Sequence, residues 1–309
     1  MTIRCIAVDW GTSNRRAWAL DGAGRVIARR ADDQGLLAIK DRAFAASLQT
    51  LLGDWMDEGA PIIMCGMVGS RLGWVEVPYL NAPVSLAELG NGLKTTSDSL
   101  PETPYIVPGI ARFDAAGADV MRGEECQMLG ALLTQGKRDG IFLLPGTHAK
   151  WARLEAGVLT DFRTYMTGEL FAQLRKGSSL AQLMPPADAP DLFDGDAFDR
   201  GFTAAFAGDS PGITHLLFTV RSLSLFGRLT PDEAPSYLSG LLIGAEMKDA
   251  LSWLKGHETV TAIGSAKLLE TYDRAARIAG IPLERLESDD ILPPALFSIA
   301  RAAGLGDLR

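Results

Sequence analysis

The sequence predicts an α/β protein built as two lobes. Three observations lead there: strand-like and helix-like segments alternate in each half, one strand–loop–strand pattern occurs twice, and 309 residues exceed the usual size of a single domain. The first half opens with a buried strand, Ile3–Asp9, then a Gly-Thr-Ser-Asn loop at Gly11–Asn14. A strand over Arg16–Leu20 turns at Asp21-Gly22-Ala23-Gly24 into a third, Arg25–Arg29. Phe44, Leu48, Leu51, Leu52 and Trp55 recur at helical spacing within 41–57. Pro61–Cys65 reads as a short buried strand, and 66–82, with Gly66, Gly69 and Gly73, as a structured loop. Tyr105–Val107 is a further strand. Gly123–Thr134 reads as a helix whose first turn holds Glu124 and Glu125, where carboxylates suit the dipole.

A second start appears at Ile141–Leu144, a buried strand followed by Pro145-Gly146-Thr147-His148-Ala149-Lys150. Trp151–Glu155 turns at Gly157 into Val158–Phe162. Gly11-Thr12 of the first loop lies over Gly146-Thr147 of the second, and Gly24 over Gly157, so four features match in order. Thr167–Phe206 is mostly helical with a Pro-rich break at Met184–Pro190, Leu216–Val220 is a strand-like or buried run, and 236–254 is a long helix. Thr259–Ile263 is a strand ended by Gly264-Ser265, Lys267–Ala279 an amphipathic helix, Leu283–Leu286 a short strand and Pro294–Ala303 a last helix.

Composition removes several classes of function. Thirty Lys+Arg against 38 Asp+Glu leave a net charge of −8, which argues against broad electrostatic binding of nucleic acid or anionic membrane. The longest uncharged stretches are about a dozen residues, short of the roughly 20 a bilayer span needs. Cys5, Cys65 and Cys126 are widely spaced and read as buried thiols. The N-terminus runs straight into a strand with no signal-like region, and a cytoplasmic protein is expected. A homodimer is compatible with the sequence, although no exposed apolar stripe marks its face. There is no Walker A pattern, no G-x-G-x-x-G, no C-x-x-C and no H-E-x-x-H. One G-x-S-x-G occurs at Gly208–Gly212, but a helix-like run precedes it and a strand-like run comes after, the reverse of a nucleophile elbow, so it reads as a turn.

What remains is a pair of glycine–threonine hairpin loops. Glycine lets backbone approach phosphate oxygens, loop N–H groups donate to them, and Thr12, Ser13 and Thr147 add uncharged donors. Asp9 ends the strand entering the first loop. Alone it is either a cap on the loop amides or a carboxylate facing a divalent cation; the duplication favours Mg²⁺, held through water.

These residues resemble a known superfamily. Asp9-Trp10-Gly11-Thr12-Ser13 is similar to the first phosphate motif of the actin, Hsp70 and sugar-kinase group, Leu144–His148 to the second, and Ala262–Ala266 to the adenosine motif. The closer resemblance is to the 2-dehydro-3-deoxygalactonokinase family, carried by Asp9–Asn14, Gly69–Trp74, Asp119–Glu125, Leu144–Trp151 and Met166–Phe171, collinear over essentially the whole chain. It implies two actin-like (ribonuclease H-like) lobes with a nucleotide cleft between them. One lobe would comprise 1–135 plus 290–309, with the first phosphate loop and the sugar-acid site. The other would comprise 136–289, with the second loop and the adenosine site. Gly123–Thr134 and Pro294–Ala303 would be the connecting helices. Unlike the wider superfamily, the second loop has no acidic residue in place of Asp9, so only one metal carboxylate is clear.

The implied activity is transfer of the γ-phosphoryl group of ATP to the 6-hydroxyl of 2-dehydro-3-deoxy-D-galactonate, in galactonate catabolism. Such a reaction is mostly positioning and charge stabilisation. Gly11, Thr12, Ser13, Gly146, Thr147, His148, Lys150, Gly264 and Ser265 would hold the nucleotide and Asp9 the metal; Lys150 read alone is equally a strand-edge lysine. The base is Glu124, at a helix start that keeps it ionised, or Asp119. Arg71, in a loop between Gly69 and Gly73 beside Ser70 and Trp74, suits a bidentate carboxylate contact, with Asn14, Arg15 and Arg122 as further donors. Thr167 is expected to cap the helix it opens, and with Glu169 to reach substrate hydroxyls. Two other readings stay open: another sugar or sugar-acid kinase or an exopolyphosphatase-like hydrolase of the same fold, and a nucleotide sensor that needs no base.

Overall fold

The computed structural model describes residues 2–98, 100–115, 117–190, 193–252, 259–306 and 308. The chain forms two compact units, one of residues 1–139, 152–162 and 286–309, the other of 140–151 and 163–285.

In the first unit, β1 (Cys5–Trp10), β2 (Arg15–Leu20) and β3 (Val26–Asp32) form an antiparallel meander. After the helix α1 (Phe44–Leu52) and a 3-10 turn over Gly53–Glu58, β4 (Ile62–Gly66) returns parallel to β1. β1 and β4 are almost wholly buried, as strands covered on both faces should be. Next come β5 (Leu80–Asn81), β6 (Val84–Ser85), β7 (Lys94–Thr95) and β8 (Pro104–Ile106). Of these, β8 and β7 complete a six-stranded order β3-β2-β1-β4-β8-β7. β9 (Ile110–Asp114) and β10 (Gly117–Met121) make a separate three-stranded sheet with β5. These two strands escape a reading by apolar pattern because Phe113 and Val120 face outward while only Ile110, Ala111 and Met121 are buried. The helix α2 (Glu124–Gln135) follows, ended by Gly136 in the left-handed region.

The second unit begins with β11 (Gly140–Leu144), and β12 (Ala149–Glu155) and β13 (Val158–Tyr165) pass in and out of it. The helices α3 (Thr167–Gly177), α4 (Gly195–Phe206), α5 (Ile213–Leu225) and α6 (Ala234–Ser252) come next. The expected extension of α6 through 253 and 254 lies outside the described residues. β14 (Val260–Gly264) pairs in parallel with β11, then α7 (Ala266–Ala279), β15 (Leu283–Glu287) and α8 (Ser288–Ala302) close the chain, α8 within the first unit beside α2. No helix among the described residues is long and apolar enough to cross a membrane.

One element departs from its expected type. Leu216–Val220 lies inside the helix α5, with Leu216 and Val220 buried one turn apart and Phe218 exposed between them. β-branched and aromatic residues give this run a strand-like look, but burial at i and i+4 on one face is helical periodicity. Gly208–Gly212 is the turn between α4 and α5, so no strand precedes Ser210 and no nucleophile elbow exists, although the element after the turn is a helix rather than a strand. All three cysteines are buried thiols, and burial pushes Cys5 up to about 12.

The core of the first unit joins Val8, Trp10, Leu48, Met64, Val68 and Ile106. That of the second joins Ile141, Leu143, Trp151, Phe198, Phe202 and Ala262. Each core sits under a pair of parallel strands, β1/β4 in one unit and β11/β14 in the other, and the glycine–threonine loops leave from the carboxyl ends of β1 and β11.

Candidate functional site

In the first unit, β1 and β4 end side by side, Asp9 opposite Cys65 and Trp10 opposite Gly66. The carboxyl ends of parallel strands are where α/β folds bind ligands, because the chain leaves the sheet there and exposes its backbone. The first loop is held from behind: its carbonyls at Gly11, Thr12 and Ser13 accept from the N–H groups of Leu36, Leu37 and Gly35. Gly35 must be glycine, since a Cβ there would come within 2.2 Å of the Ser13 carbonyl carbon. Thr12, Ser13 and Asn14 remain exposed.

Asp9 sits at the mouth of this loop. Its Oδ2 accepts from Arg16 at 2.5 Å, and the Cys65 thiol lies 3.8 Å from Oδ1. Gly66, at φ 91°, packs against it so closely that a Cβ would lie 3.2 Å from Oδ1. Gly123, at φ 114°, packs in turn against Gly66, where its Cβ would lie 3.3 Å from the Gly66 Cα. The start of α2 is thereby laid beside the end of β4. Glu124 opens that helix half-buried, its Oε2 accepting from the Arg122 N–H at 3.0 Å. Glu125 is fully buried, both its oxygens accepting from the Gly123 N–H at 2.8 Å. Burial, reinforced by the neighbouring Glu124, pushes the Glu125 carboxyl up to about 7.

The second unit repeats the construction. The loop after β11 is backed by the first turn of α3, where the Glu169 N–H donates to the Thr147 carbonyl at 2.9 Å. Here Gly168 is required, since a Cβ would approach the Gly146 carbonyl oxygen to 2.3 Å. His148 Nε2 and Glu169 Oε2 meet at 2.5 Å on the exposed side, and Lys150 is buried. Gly264, at the end of β14, lies against Pro145, so the Gly264-Ser265 turn and the second loop are neighbours. The second loop and the helix that follows the turn border one pocket, lined by Gly146, Thr167 and Gly168, by Lys267, Leu268 and Thr271 of α7, and by Phe171, Phe193, Ser236 and Tyr272. A concave, largely apolar pocket with a few polar groups beside a glycine loop suits a flat heteroaromatic ring with an anionic tail. Beneath it Glu246 is buried and accepts from Trp151 Nε1 at 2.8 Å, Tyr272 Oη at 2.9 Å and Thr167 Oγ1. Burial raises its carboxyl above the usual range.

Several expected site residues are placed differently. Thr167 does not cap α3: Met166 is the N-cap residue, without a side-chain cap bond, and the Thr167 hydroxyl is spent on Glu246. Trp74 is 7% exposed, stacked on Phe44 and edge-on to Trp10, with its indole N–H on Asp98 at 2.5 Å, so it belongs to the core and offers no face to a substrate. Arg15 is 2% exposed and its guanidinium is held by Asp32, at 2.8 and 2.9 Å, and by Ser47 Oγ, so it is buried and engaged away from the exposed loop. Asp119 lies within β10, opposite Arg112, in the strand that leads to α2. Arg71 is exposed in the turn that follows buried Ser70. Arg122 is buried over the Tyr79 ring, 4.3 Å from its centroid, and gives one donor to the Val77 carbonyl. Its Nε and Nη1, like Ser70 Oγ, have no hydrogen-bond partner among the described residues.

Three polar residues beside these loops escape a motif reading: Arg16 and Glu125 in the first unit, and Glu246 in the second. Arg16 was legible from hairpin register, because a four-residue loop at 11–14 sets Trp10 opposite Arg15 and Asp9 opposite Arg16. Glu125 and Glu246 carry no such signal, since an acidic residue in a helix reads as solvated until burial is known.

The set of donors also tests the expected metal. Among the described residues no group of three or more His, Cys, Asp or Glu is arranged to hold a metal by itself. A single carboxylate with one lightly engaged oxygen fits a magnesium ion that arrives on nucleotide phosphates and needs only one protein oxygen, through water.

The comparisons with known proteins agree with this geometry. The sequence profile of the 2-keto-3-deoxy-galactonokinase family matches residues 9–299. The chain is 33% identical over 302 residues to the 2-dehydro-3-deoxygalactonokinase of Escherichia coli K12, covering 98% of this chain and 99% of that one. A crystal structure of a Sinorhizobium meliloti protein described as a 2-dehydro-3-deoxygalactonokinase superposes with a TM-score of 0.88 at 34% identity, over 96% of this chain and 98% of that one. Component A of the (R)-2-hydroxyglutaryl-CoA dehydratase of Acidaminococcus fermentans superposes at 0.53 with 13% identity, over 98% and 100% of the two chains, a likeness of fold alone. A profile match over nearly the whole chain, near-complete collinear relatives and two glycine–threonine loops built alike lead to one conclusion: the chain is a member of the 2-keto-3-deoxy-galactonokinase family.

Proposed function

We propose that this chain transfers the γ-phosphoryl group of ATP to the 6-hydroxyl of 2-dehydro-3-deoxy-D-galactonate, in the cytoplasm, as a step of galactonate catabolism. The observation that carries the reading is the pocket of the second unit, where the Gly146 loop and the helix after Gly264-Ser265 border one largely apolar recess. Adenine would occupy that recess, and the tail would run along the backbone of Gly146 and Thr147, with Lys150 adding positive charge and His148 a ring nitrogen for hydrogen bonding. In the first unit, Gly11, Thr12 and Ser13 offer a second set of backbone and hydroxyl donors. Asp9 would hold Mg²⁺ through water, and the ion would neutralise charge developing on the transferred phosphoryl group.

Glu124 is assigned as the base that takes the proton of the 6-hydroxyl. It opens α2, whose Gly123 packs on Gly66 beside Asp9, so its carboxylate is carried next to the loop that would hold the nucleotide tail. Asp119, in the strand β10, is the weaker assignment. The carboxylate of the sugar acid is assigned to Ser70 and Arg122, whose unpartnered donors an anion would satisfy, with Arg71 at the rim of the same loop. The test is an ATP-coupled assay across 2-keto-3-deoxy sugar acids, with the product identified by ³¹P NMR. The galactonate compound should be phosphorylated at its 6-position far faster than the gluconate compound. Equal rates on the two would remove the stereochemical assignment, and ATP turnover independent of any acceptor would make the chain a hydrolase.

A further inference from the structure

Arg16 is the best-anchored charged side chain around Asp9. It faces Asp9 across the β1–β2 ladder. One arm of its guanidinium donates to Asp9 Oδ2 at 2.5 Å; the other donates to Asp289 and, at 3.1 Å, to Ser288 Oγ, both in the first turn of α8. Its plane lies 5.5 Å from the centroid of the Trp18 ring. Asp289 is held in turn by Arg29 at 2.7 Å. Four charges of alternating sign therefore run Asp9, Arg16, Asp289, Arg29. The two side chains of the first pair are only 17% and 25% exposed, so solvent screens their interaction incompletely.

This geometry has two consequences for Asp9. A planar fork fixed at three corners holds one carboxylate oxygen and so sets the direction of the other, which a single flexible ammonium would not do. The same guanidinium places a positive charge at hydrogen-bond distance from the carboxylate that is to attract a cation, which weakens that attraction. We propose that Arg16 is the positioning residue and counter-ion of Asp9: it orients the carboxylate for turnover while holding down its affinity for the metal. The inference rests on the assignment of Asp9 to nucleotide-borne Mg²⁺.

Binding of Mn²⁺ to the protein with ADP, followed by the loss of the free-ion electron paramagnetic resonance signal, reads affinity without turnover. Arg16→Gln should bind Mn²⁺·ADP about threefold or more tighter, because the opposing charge is gone, and turn over about tenfold or more slower, because the carboxylate is no longer aimed. Arg16→Lys should keep near-wild-type affinity with an intermediate rate. Asp289→Asn should weaken Mn²⁺ binding, since the guanidinium is then shared with one carboxylate instead of two, and this variant carries the test if Arg16→Gln does not fold, as judged by its melting curve. Affinity and rate that both stay put, or that fall together in Arg16→Gln, overturn the proposal. Asp9→Asn separates the two claims: undiminished Mn²⁺·ADP binding in that variant removes the metal role of Asp9, whereas binding lost there but unchanged in Arg16→Gln removes only the role of Arg16.

Discussion

Glu125 makes the stability of the protein depend on pH in a direction opposite to that of most carboxylates. An ion-paired glutamate stabilises a fold as it ionises, and this one does the reverse. It is fully buried, its oxygens accept from the Gly123 N–H at 2.8 Å, and one of the acids beside it is Glu124. Burial first and Glu124 second lift its carboxyl from 4.5 to about 7 in the folded protein. Between those two values the native state binds a proton that the unfolded chain has released. Its contribution is therefore fully present below pH 4.5 and is lost as the pH rises through about 7. At about 1.4 kcal/mol per unit the loss amounts to about 3 kcal/mol. Glu125→Gln has the shape of the protonated acid and no charge to bury. Its urea midpoint should match the wild type near pH 4 and exceed it at pH 8 by the equivalent of about 3 kcal/mol, with most of the divergence between pH 5 and 7. Parallel midpoint curves for the two proteins across pH 5–8 would mean that Glu125 is ionised throughout, and the account of its burial would fail.

The other predictions concern the supports of the two loops and the core. Gly168→Ala places a Cβ 2.3 Å from the Gly146 carbonyl oxygen, so the second loop must shift; kcat/KM for ATP should fall about 100-fold with little loss of secondary structure, and an unchanged ATP dependence would show that the loop does not touch nucleotide. Trp74→Phe removes the bond to Asp98 and part of a packed ring; it should cost about 1–2 kcal/mol of stability while leaving KM for the sugar acid unchanged, and a large rise in KM would return Trp74 to the substrate site. Thr167→Val withdraws one of three donors from buried Glu246, and urea denaturation should show a loss of about 1–3 kcal/mol.

Much of the fold was legible because its elements obey one local rule each. β1, β4, β11 and β14 are short apolar runs closed by glycine or a polar loop, α2 and α7 end at glycines in the left-handed region, and the twofold strand–loop–strand pattern is written in the spacing of Gly11, Gly24, Gly146 and Gly157. What failed was decided by packing. Leu216–Val220 has strand chemistry but becomes helix because a helix buries Leu216 and Val220 together against α6. The strands β9 and β10 were hidden because much of their outward face is apolar, which breaks the alternation that marks a half-buried strand. Trp74 looked like a substrate contact because its loop is irregular, yet irregular backbone can still deliver a large ring to the core.

The candidate site shows the same division between what local sequence encodes and what pairing decides. The motifs singled out Asp9, both loops and the Gly264 turn because the roles proposed for them depend on backbone shape, and backbone shape is set by glycine and hydroxyl residues in order. Which arginine serves Asp9 depends instead on parity. Successive residues of a strand point to opposite faces, so of Arg15 and Arg16 one enters the core and the other meets the site. The hairpin register makes the choice: Trp10 faces Arg15, which lies over its ring at 4.7 Å and ends on Asp32, and Asp9 faces Arg16. Lengthening the 11–14 loop by one residue would offset β2 against β1 and set Arg15, already committed to Asp32, in place of Arg16. The pairing of Asp9 with Arg16 is therefore a property of the loop length as much as of the two residues. An insertion in that loop should abolish turnover even with every functional side chain retained, and should be partly reversed by deleting one residue at the start of β2.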